Sequence, residues 1–276
     1  MNICLFTPEE IEKPLNIRDE RAQHILKILH KKEGDTFAAG IIGSKAGTAT
    51  ITSIETHTVT KGERKEFEEG TLSFSFTAET DGKLLHPLIM LIGFPRPIQL
   101  KRLLRDMAGL GATAVYLTGT EFGEKSYLES DLAKTDSGYQ MLLEGTEQAA
   151  STHIPALIKT ATLLECLDEI EKHYTQNTKS TGTSSPALLA LDNVNASGSL
   201  THFLQEKPLF DEATKTPVLT VAAIGSERGW TKNERQLLEL HGFTRLSMGN
   251  RVLRTETAAT VAASLILSSM QALNDA

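Results

Sequence analysis

The chain has 276 residues, a formal net charge of −7 and an apolar fraction of 40%. That length buries a substantial core, more naturally in two domains than in one, and the composition is that of an ordinary soluble protein, not a disordered or fibrous one. The opening "MNICLFTPEEIEKP" places acids and prolines where a signal peptide would be apolar, and the run "LIMLIGF" is far too short to span a bilayer, so no membrane partner is expected. Cys4 and Cys166 fit neither a metal nor a redox spacing; they read as reduced core thiols of a cytoplasmic protein, and no metal is expected. The negative sum argues only weakly against nucleic acid, because phosphate contacts follow local clustering. Acids gather in "ERKEFEEG", while "PRPIQLKRLLRD" and "RLSMGNRVLR" are locally basic.

In chain order, the first eighty residues read as a small β-rich unit. "NICLFT" is a strand, and "IRDERAQHILKIL" has a helical rhythm at Ile17, Ala22, Ile25, Leu26 and Leu29. "GDTFAAGII", "GTATITSIET" and "TLSFSFTAE" follow as strands, with "KGERKEFEEG" as a solvated loop between the last two. Segregated strands with one helix suggest a small barrel.

After "TDGKLLHP" strands and helices alternate: "LIMLIGF", the helix "IQLKRLLRDMAGLG", "AVYLTG", a helix through "SGYQMLLEGTEQAA", "ALIKTA" and the helix "LLECLDEIEKHY". Such alternation implies a mostly parallel sheet covered on both faces. The polar "TQNTKSTGTSS" reads as a surface loop.

The last third carries the chemistry. Three strands, "ALLALD", "VLTVAAI" and "FTRLSM", deliver the loops "NVNASGS", "GSERGW" and "GNRVLR" at their C-terminal ends, where open parallel sheets bind ligands. Thr231 and Glu234 have capping-box spacing, Leu237, Leu238 and Leu240 form the expected buried face of the helix they start, and Gly242 suits its end. Gly225 and Gly229 therefore sit in a tightly held strand-to-helix connection, where they either make the turn or let a ligand approach the main chain. No phosphate-loop pattern is present, and Glu227 would repel phosphate. Gly249 and Asn250 permit a left-handed backbone, Arg251 and Arg254 put two guanidiniums in one loop, and Thr255 can cap the closing helix. That helix carries apolar or small residues at 258, 261, 262, 265, 266 and 270, a stripe suited to core packing or to a subunit interface.

"IGSERGWTKNE" followed by "LSMGNRVLRTETAA" resembles the paired C-terminal motifs of the RsmE-type rRNA methyltransferases, IGPEGGFSxxE and LGxRILRTETA. "RAQHILKILHKKEGD" is similar to their N-terminal HHxxxVLRxxxGD, so the resemblance covers nearly the whole chain. It implies an α/β fold of the SPOUT superfamily: residues 81–276 forming a mostly parallel sheet with a trefoil-knotted C-terminal half, and residues 1–80 a PUA-like β-barrel that binds RNA. It also implies S-adenosylmethionine as cofactor, held by Leu191, by Gly225, Glu227 and Gly229, and by Leu246, Met248, Gly249, Arg251 and Leu253. The implied reaction is methylation of N3 of a uridine in 16S rRNA of the small ribosomal subunit, by a homodimer. Arg254 is the candidate for stabilising the uracil anion, with Glu256 orienting it or taking the proton; Arg21, Lys27, Lys31 and Lys32 are candidates for holding the RNA backbone.

Several positions depart from the family pattern: Ser226 and Arg228 replace Pro and Gly, Trp230 replaces Phe, His30 replaces an arginine, "GLGA" at 109–112 replaces ELGV, and "EQAASTHIP" lacks the arginine expected near Ser151. They leave open a catalytically inactive RNA-binding homologue or another RNA methyltransferase of the same superfamily; a small-molecule enzyme using the same crevice is a further alternative.

Overall fold

The computed structural model describes residues 2–60, 66–124, 135–181 and 185–273. Two compact units are present, one of residues 1–84 with 146–154, the other of residues 85–145 with 155–276.

In the first unit a five-stranded sheet has the order β1-β3-β4-β5-β2, formed by β1 (Cys4–Phe6), β2 (Leu15–Asn16), β3 (Thr36–Ile41), β4 (Ala46–Thr60) and β5 (Glu66–Thr80). Only the β1–β3 pair is parallel. Alternating apolar residues give the sheet one dry face, on which Phe6 and Phe74 pack at a tilt with centroids 5.0 Å apart and Phe37 meets Phe74 edge-on at 5.6 Å. The helix read over residues 17–29 is shorter and mixed: α1 spans Glu20–Gln23 and passes into a π-helical turn, His24–Ile28. Ala22 and Ile25 are buried, whereas Ile28 and Leu29 stand exposed beside Lys27. The acidic loop expected between the two long strands is overturned in part, because Glu66 to Gly70 already pair with β4; its first five residues lie outside the described ones. Residues 146–154 also belong to this unit, through Asn2 N–H donating to Glu147 O at 3.1 Å and Thr152 Oγ1 donating to Ser44 O at 2.6 Å.

The second unit is built on a seven-stranded sheet, every pair parallel, of order β10-β14-β9-β13-β6-β7-β8. Its elements in sequence are β6 (His86–Gly93), α2 (Pro97–Gly109), β7 (Ala112–Thr118), α3 (Thr135–Gln148), β8 (Ala156–Thr160), α4 (Leu163–Thr181), β9 (Ala187–Leu191), β10 (Gly198–Ser199) and α5 (Leu200–Glu206). A small hairpin, β11 (Phe210–Asp211) and β12 (Thr216–Pro217), precedes β13 (Thr220–Ile224), α6 (Lys232–Leu240), β14 (Thr244–Ser247) and α7 (Thr255–Ser269). The unbroken apolar runs of β6 and β13 are what a strand covered on both faces requires. On one side Ile89, Leu91, Val221 and Ala223 share a buried cluster with Leu163, Cys166, Leu167 and Ile170 of α4 and with Trp230 and Leu238. The other face of β6 and β13 is covered by α7, which in turn packs against α2. Burial pushes the Cys166 thiol up to about 12, so it stays protonated as a core filler. The segment "TQNTKSTGTSS" is not a free loop throughout, because α4 runs on to Thr181.

Candidate functional site

Three loops leave the carboxyl ends of β9, β13 and β14, which are neighbours in the sheet although far apart in sequence. They enclose a cleft of about 450 Å3.

The middle loop is pinned at both ends. Thr231 caps α6: its hydroxyl accepts from Glu234 N–H at 3.1 Å, while the Glu234 carboxylate accepts from Thr231 N–H at 2.8 Å and from Glu121 N–H at 2.9 Å. At the other end of α6, Gly242 has φ +83°, and the amides of Gly242 and Phe243 donate back to Glu239 and Leu238. The expected apolar face is corrected at one position: Leu238 is fully buried, but Leu240 is 83% exposed.

Between those anchors the chain turns tightly, Gly229 N–H donating to Ser226 O at 2.8 Å. The two glycines do different things. A Cβ on Gly225 would lie 2.8 Å from the carbonyl carbon of Gly229, so Gly225 makes the turn possible. Gly229 has φ +72° and nothing within 4 Å of a Cβ position, so it supplies the left-handed residue and leaves bare main chain beside the cleft. The Glu227 carboxylate accepts from Arg96 N–H at 2.8 Å, at the start of α2, and is thereby fixed. Trp230 is 1% exposed and joins the core.

Of the residues expected to hold a cofactor, Leu191, Gly225, Glu227, Gly229, Met248, Arg251 and Leu253 line the cleft. Leu246 is instead buried within β14, and Gly249, at φ +97°, shapes the third loop without lining. Arg254 lines the cleft with its side chain exposed. Glu256 is buried in the first turn of α7, and among the described residues no ion pair joins it to Arg254. Thr255 does not cap that helix: Arg254 occupies the N-cap without a side-chain hydrogen bond, and Thr255 is the first helical residue.

Sequence reasoning missed the charged floor of the cleft. Asp192, whose side chain is 4% exposed, receives Arg235 Nε at 2.5 Å and Nη2 at 3.3 Å, and lies 3.6 Å from Arg245 Nη1. Val194 N–H donates to the same carboxylate at 3.1 Å. This network ties β9, α6 and β14 together beneath the loops. The one sequence signal for it was an aspartate directly after an apolar strand.

The RNA-contact candidates lie in the first unit. Lys27 and Lys32 are exposed and Lys31 half-buried. Arg21 is otherwise engaged: its guanidinium donates to Asp19, Glu10 and Leu5 O and packs over the Phe6 ring at 4.8 Å. It organises the corner between β1 and α1 and has no donor left to offer a phosphate. In "EQAASTHIP", Ser151 Oγ donates to Lys83 O at 2.9 Å and Ala150 sits at φ +52°.

Strand-end loops lining a crevice at the carboxyl edge of a parallel sheet define a ligand-binding α/β protein. The family model of the RNA methyltransferase domain matches residues 83–267. The ribosomal RNA small subunit methyltransferase E of Treponema pallidum is 39% identical over 99% of this chain and 92% of its own. The corresponding protein 1 of Borreliella burgdorferi is 32% identical over 98% of each. A crystal structure of a ribosomal RNA small subunit methyltransferase E from Neisseria gonorrhoeae, bound to S-adenosyl methionine, shares the fold with a TM-score of 0.65 at 19% identity over 97% of each chain. The chain belongs to the RNA methyltransferase family, among proteins of the small subunit methyltransferase E type.

Proposed function

We propose that the protein transfers a methyl group from S-adenosylmethionine to N3 of one uridine in the 16S rRNA of the small ribosomal subunit. The observation that carries this reading is the convergence of three loops, with Arg251 and Arg254 both present, on one cleft of about 450 Å3. The residues fit the cofactor: the cleft has bare main chain at Gly229, apolar walls from Leu191, Met248 and Leu253, and Arg251 for a carboxylate. The bound cofactor supplies an electrophilic methyl carried on a sulfonium.

The chain's own residues address the nucleophile. Uracil N3 attacks well only after its proton leaves, and negative charge then spreads to O2 and O4. Arg254, exposed on the cleft wall, is placed to stabilise that charge. Glu256, in the first turn of the helix that Arg254 precedes, either orients Arg254 or takes the proton. Base pairing hides the N3 edge, so the target must be unpaired or splayed out. Lys27, Lys31 and Lys32 hold RNA backbone, and Arg21 drops out of that set. The sheet of the first unit corresponds to the PUA-like barrel of the family, and the β9–β13–β14 region to its trefoil knot. A homodimer is proposed, acting in the cytoplasm where rRNA is made. No metal is required.

Incubating the protein with labelled S-adenosylmethionine and unmodified small subunits, followed by nucleoside mass spectrometry, tests the reading. The expected product is 3-methyluridine at one site; a methyl group on another atom or on no nucleoside overturns it. The internal use of Ser151, where the family has arginine, favours a second reading, an inactive RNA-binding homologue. Retention of rRNA and cofactor without turnover would select it.

A further inference from the structure

We propose that Arg228 binds a backbone phosphate of the RNA strand next to the target base, a contact additional to the cofactor, catalytic and lysine positions above. It rests on the RNA-methylation reading. Arg228 occupies the third position of the turn closed by the Ser226–Gly229 hydrogen bond of 2.8 Å. Its side chain is 68% exposed, yet it lines the mouth of the cleft.

The turn that carries it is rigid. Ser226 Oγ is 3.1 Å from Thr120 Oγ1, a Cβ on Gly93 would lie 2.5 Å from Ser226 N, and Glu227 is held by the Arg96 amide at 2.8 Å. A guanidinium on a fixed turn loses little freedom on binding an anion. The neighbouring Glu227 keeps its charge, but its carboxylate is held on the Arg96 amide at the start of α2 and so leaves the Arg228 guanidinium unpaired with it. The partner of Arg228 itself is Glu124, at 3.5 Å, with a side chain 51% exposed. Such a long, solvated pair exchanges readily for a phosphate that accepts two N–H bonds from the guanidinium fork. The matching family motifs carry glycine here, so the contact distinguishes this chain within the fold. Arg235, only 19% exposed and committed to Asp192, is by contrast a floor residue unavailable to RNA.

A phosphate contact has a signature that a structural role lacks: it contributes to the salt dependence of RNA affinity. Binding of the full-length protein to deproteinised, unmethylated small-subunit rRNA would be measured between about 50 and 200 mM salt. Arg228→Ala should weaken binding roughly 3- to 10-fold at low salt and lower the slope of log K against log salt by about 0.7. Arg228→Lys should keep the slope, and cofactor affinity by calorimetry should be unchanged in both. An unchanged slope, or a loss confined to cofactor affinity, overturns the proposal, the latter by assigning the guanidinium to the cofactor's carboxylate. A loss seen only with assembled subunits, at unchanged slope, assigns it to a ribosomal protein and also overturns it. If the unsubstituted protein binds rRNA with no salt dependence at all, the RNA reading itself fails, a result distinct from either outcome for the variants.

Discussion

Arginines 251 and 254 come from one loop of three neighbouring turns and face one cleft, but the chemistry asks different things of them. Arg254→Ala should lower single-turnover methylation at saturating cofactor and RNA by on the order of a hundredfold or more, the usual effect of removing one charge-stabilising donor. Arg254→Lys should recover only part, since a point charge cannot reproduce a planar fork. Arg251→Ala should act through cofactor or RNA affinity with turnover largely kept; a near-normal rate for Arg254→Ala would remove it from the mechanism. Gly229 carries a separate test. Its φ of +72° strains any L residue by about 1–3 kcal/mol, whatever the space. Gly229→Ala therefore reports strain, and Gly229→Val reports strain plus a branched group beside bare main chain. Calorimetry should show cofactor affinity falling clearly further for valine than for alanine; equal affinities would show that the cofactor does not lie against this residue. Much of this was legible in single residues, because a glycine, an arginine and a capping threonine carry local rules. The Asp192–Arg235 contact was not, since its partners are 43 residues apart and nothing local signals the pairing.

At the level of elements, capping chemistry read from sequence held where it was self-contained and slipped where tertiary packing decided. The Thr231–Glu234 box forms as its spacing requires, because both partners lie within one turn. Leu240 continued an apolar pattern yet faces solvent, because the sheet beneath α6 receives only the side around Leu238. Thr255 shifted by one place for the same kind of reason: α7 starts at the residue after Arg254, and Thr255, as its first residue, is buried. In the first unit the Arg21 corner is an element with its own titration. Hydrogen bonds from Arg21 hold the Asp19 and Glu10 carboxyls below their usual values. Groups depressed in the folded state add stability above their unfolded values, near pH 4, and that stability is lost as the pH falls through the folded ones. Thermal melts between about pH 6 and pH 3 should therefore show the native protein losing more stability on acidification than Arg21→Ala, which starts lower. Parallel pH profiles would remove Arg21 from its structural role and reopen it as an RNA contact.

For the whole molecule, strand and helix alternation announced the parallel sheet, but no periodicity could announce that β6 sits between β7 and β13. Nor could it show that residues 146–154 return to the first unit, since that choice is made by contacts such as Thr152 with Ser44. The proposed dimer also rests on different residues than the alanine stripe suggested. Ala258, Ala259, Ala262 and Ala263 are all buried within the protomer, on the helix that packs against α2. On α2, on α7 and in the loop that leads into α7, the large apolar side chains left exposed are Ile98 at 75%, Val261 at 36% and Val252 at 85%. Sedimentation equilibrium should give a dimer at micromolar concentration, and Val252→Glu with Val261→Glu should shift it toward monomer; a native monomer with full methyl transfer would exclude the dimer.

The insertion of β13 between β6 and β9 has a consequence for the protein's own synthesis. Both flanking strands leave the ribosome before the strand that joins them, and they cannot pair with each other without closing its slot. The nascent chain must therefore hold the centre of its sheet unfinished until residue 224 and the segments after it have emerged. Contacts of such long sequence separation close slowly. During that wait the unpaired edges of β6 and β9 are exposed to aggregation, so a translational pause between residues 191 and 224 would lower yield, whereas a chaperone at the exit port would protect it.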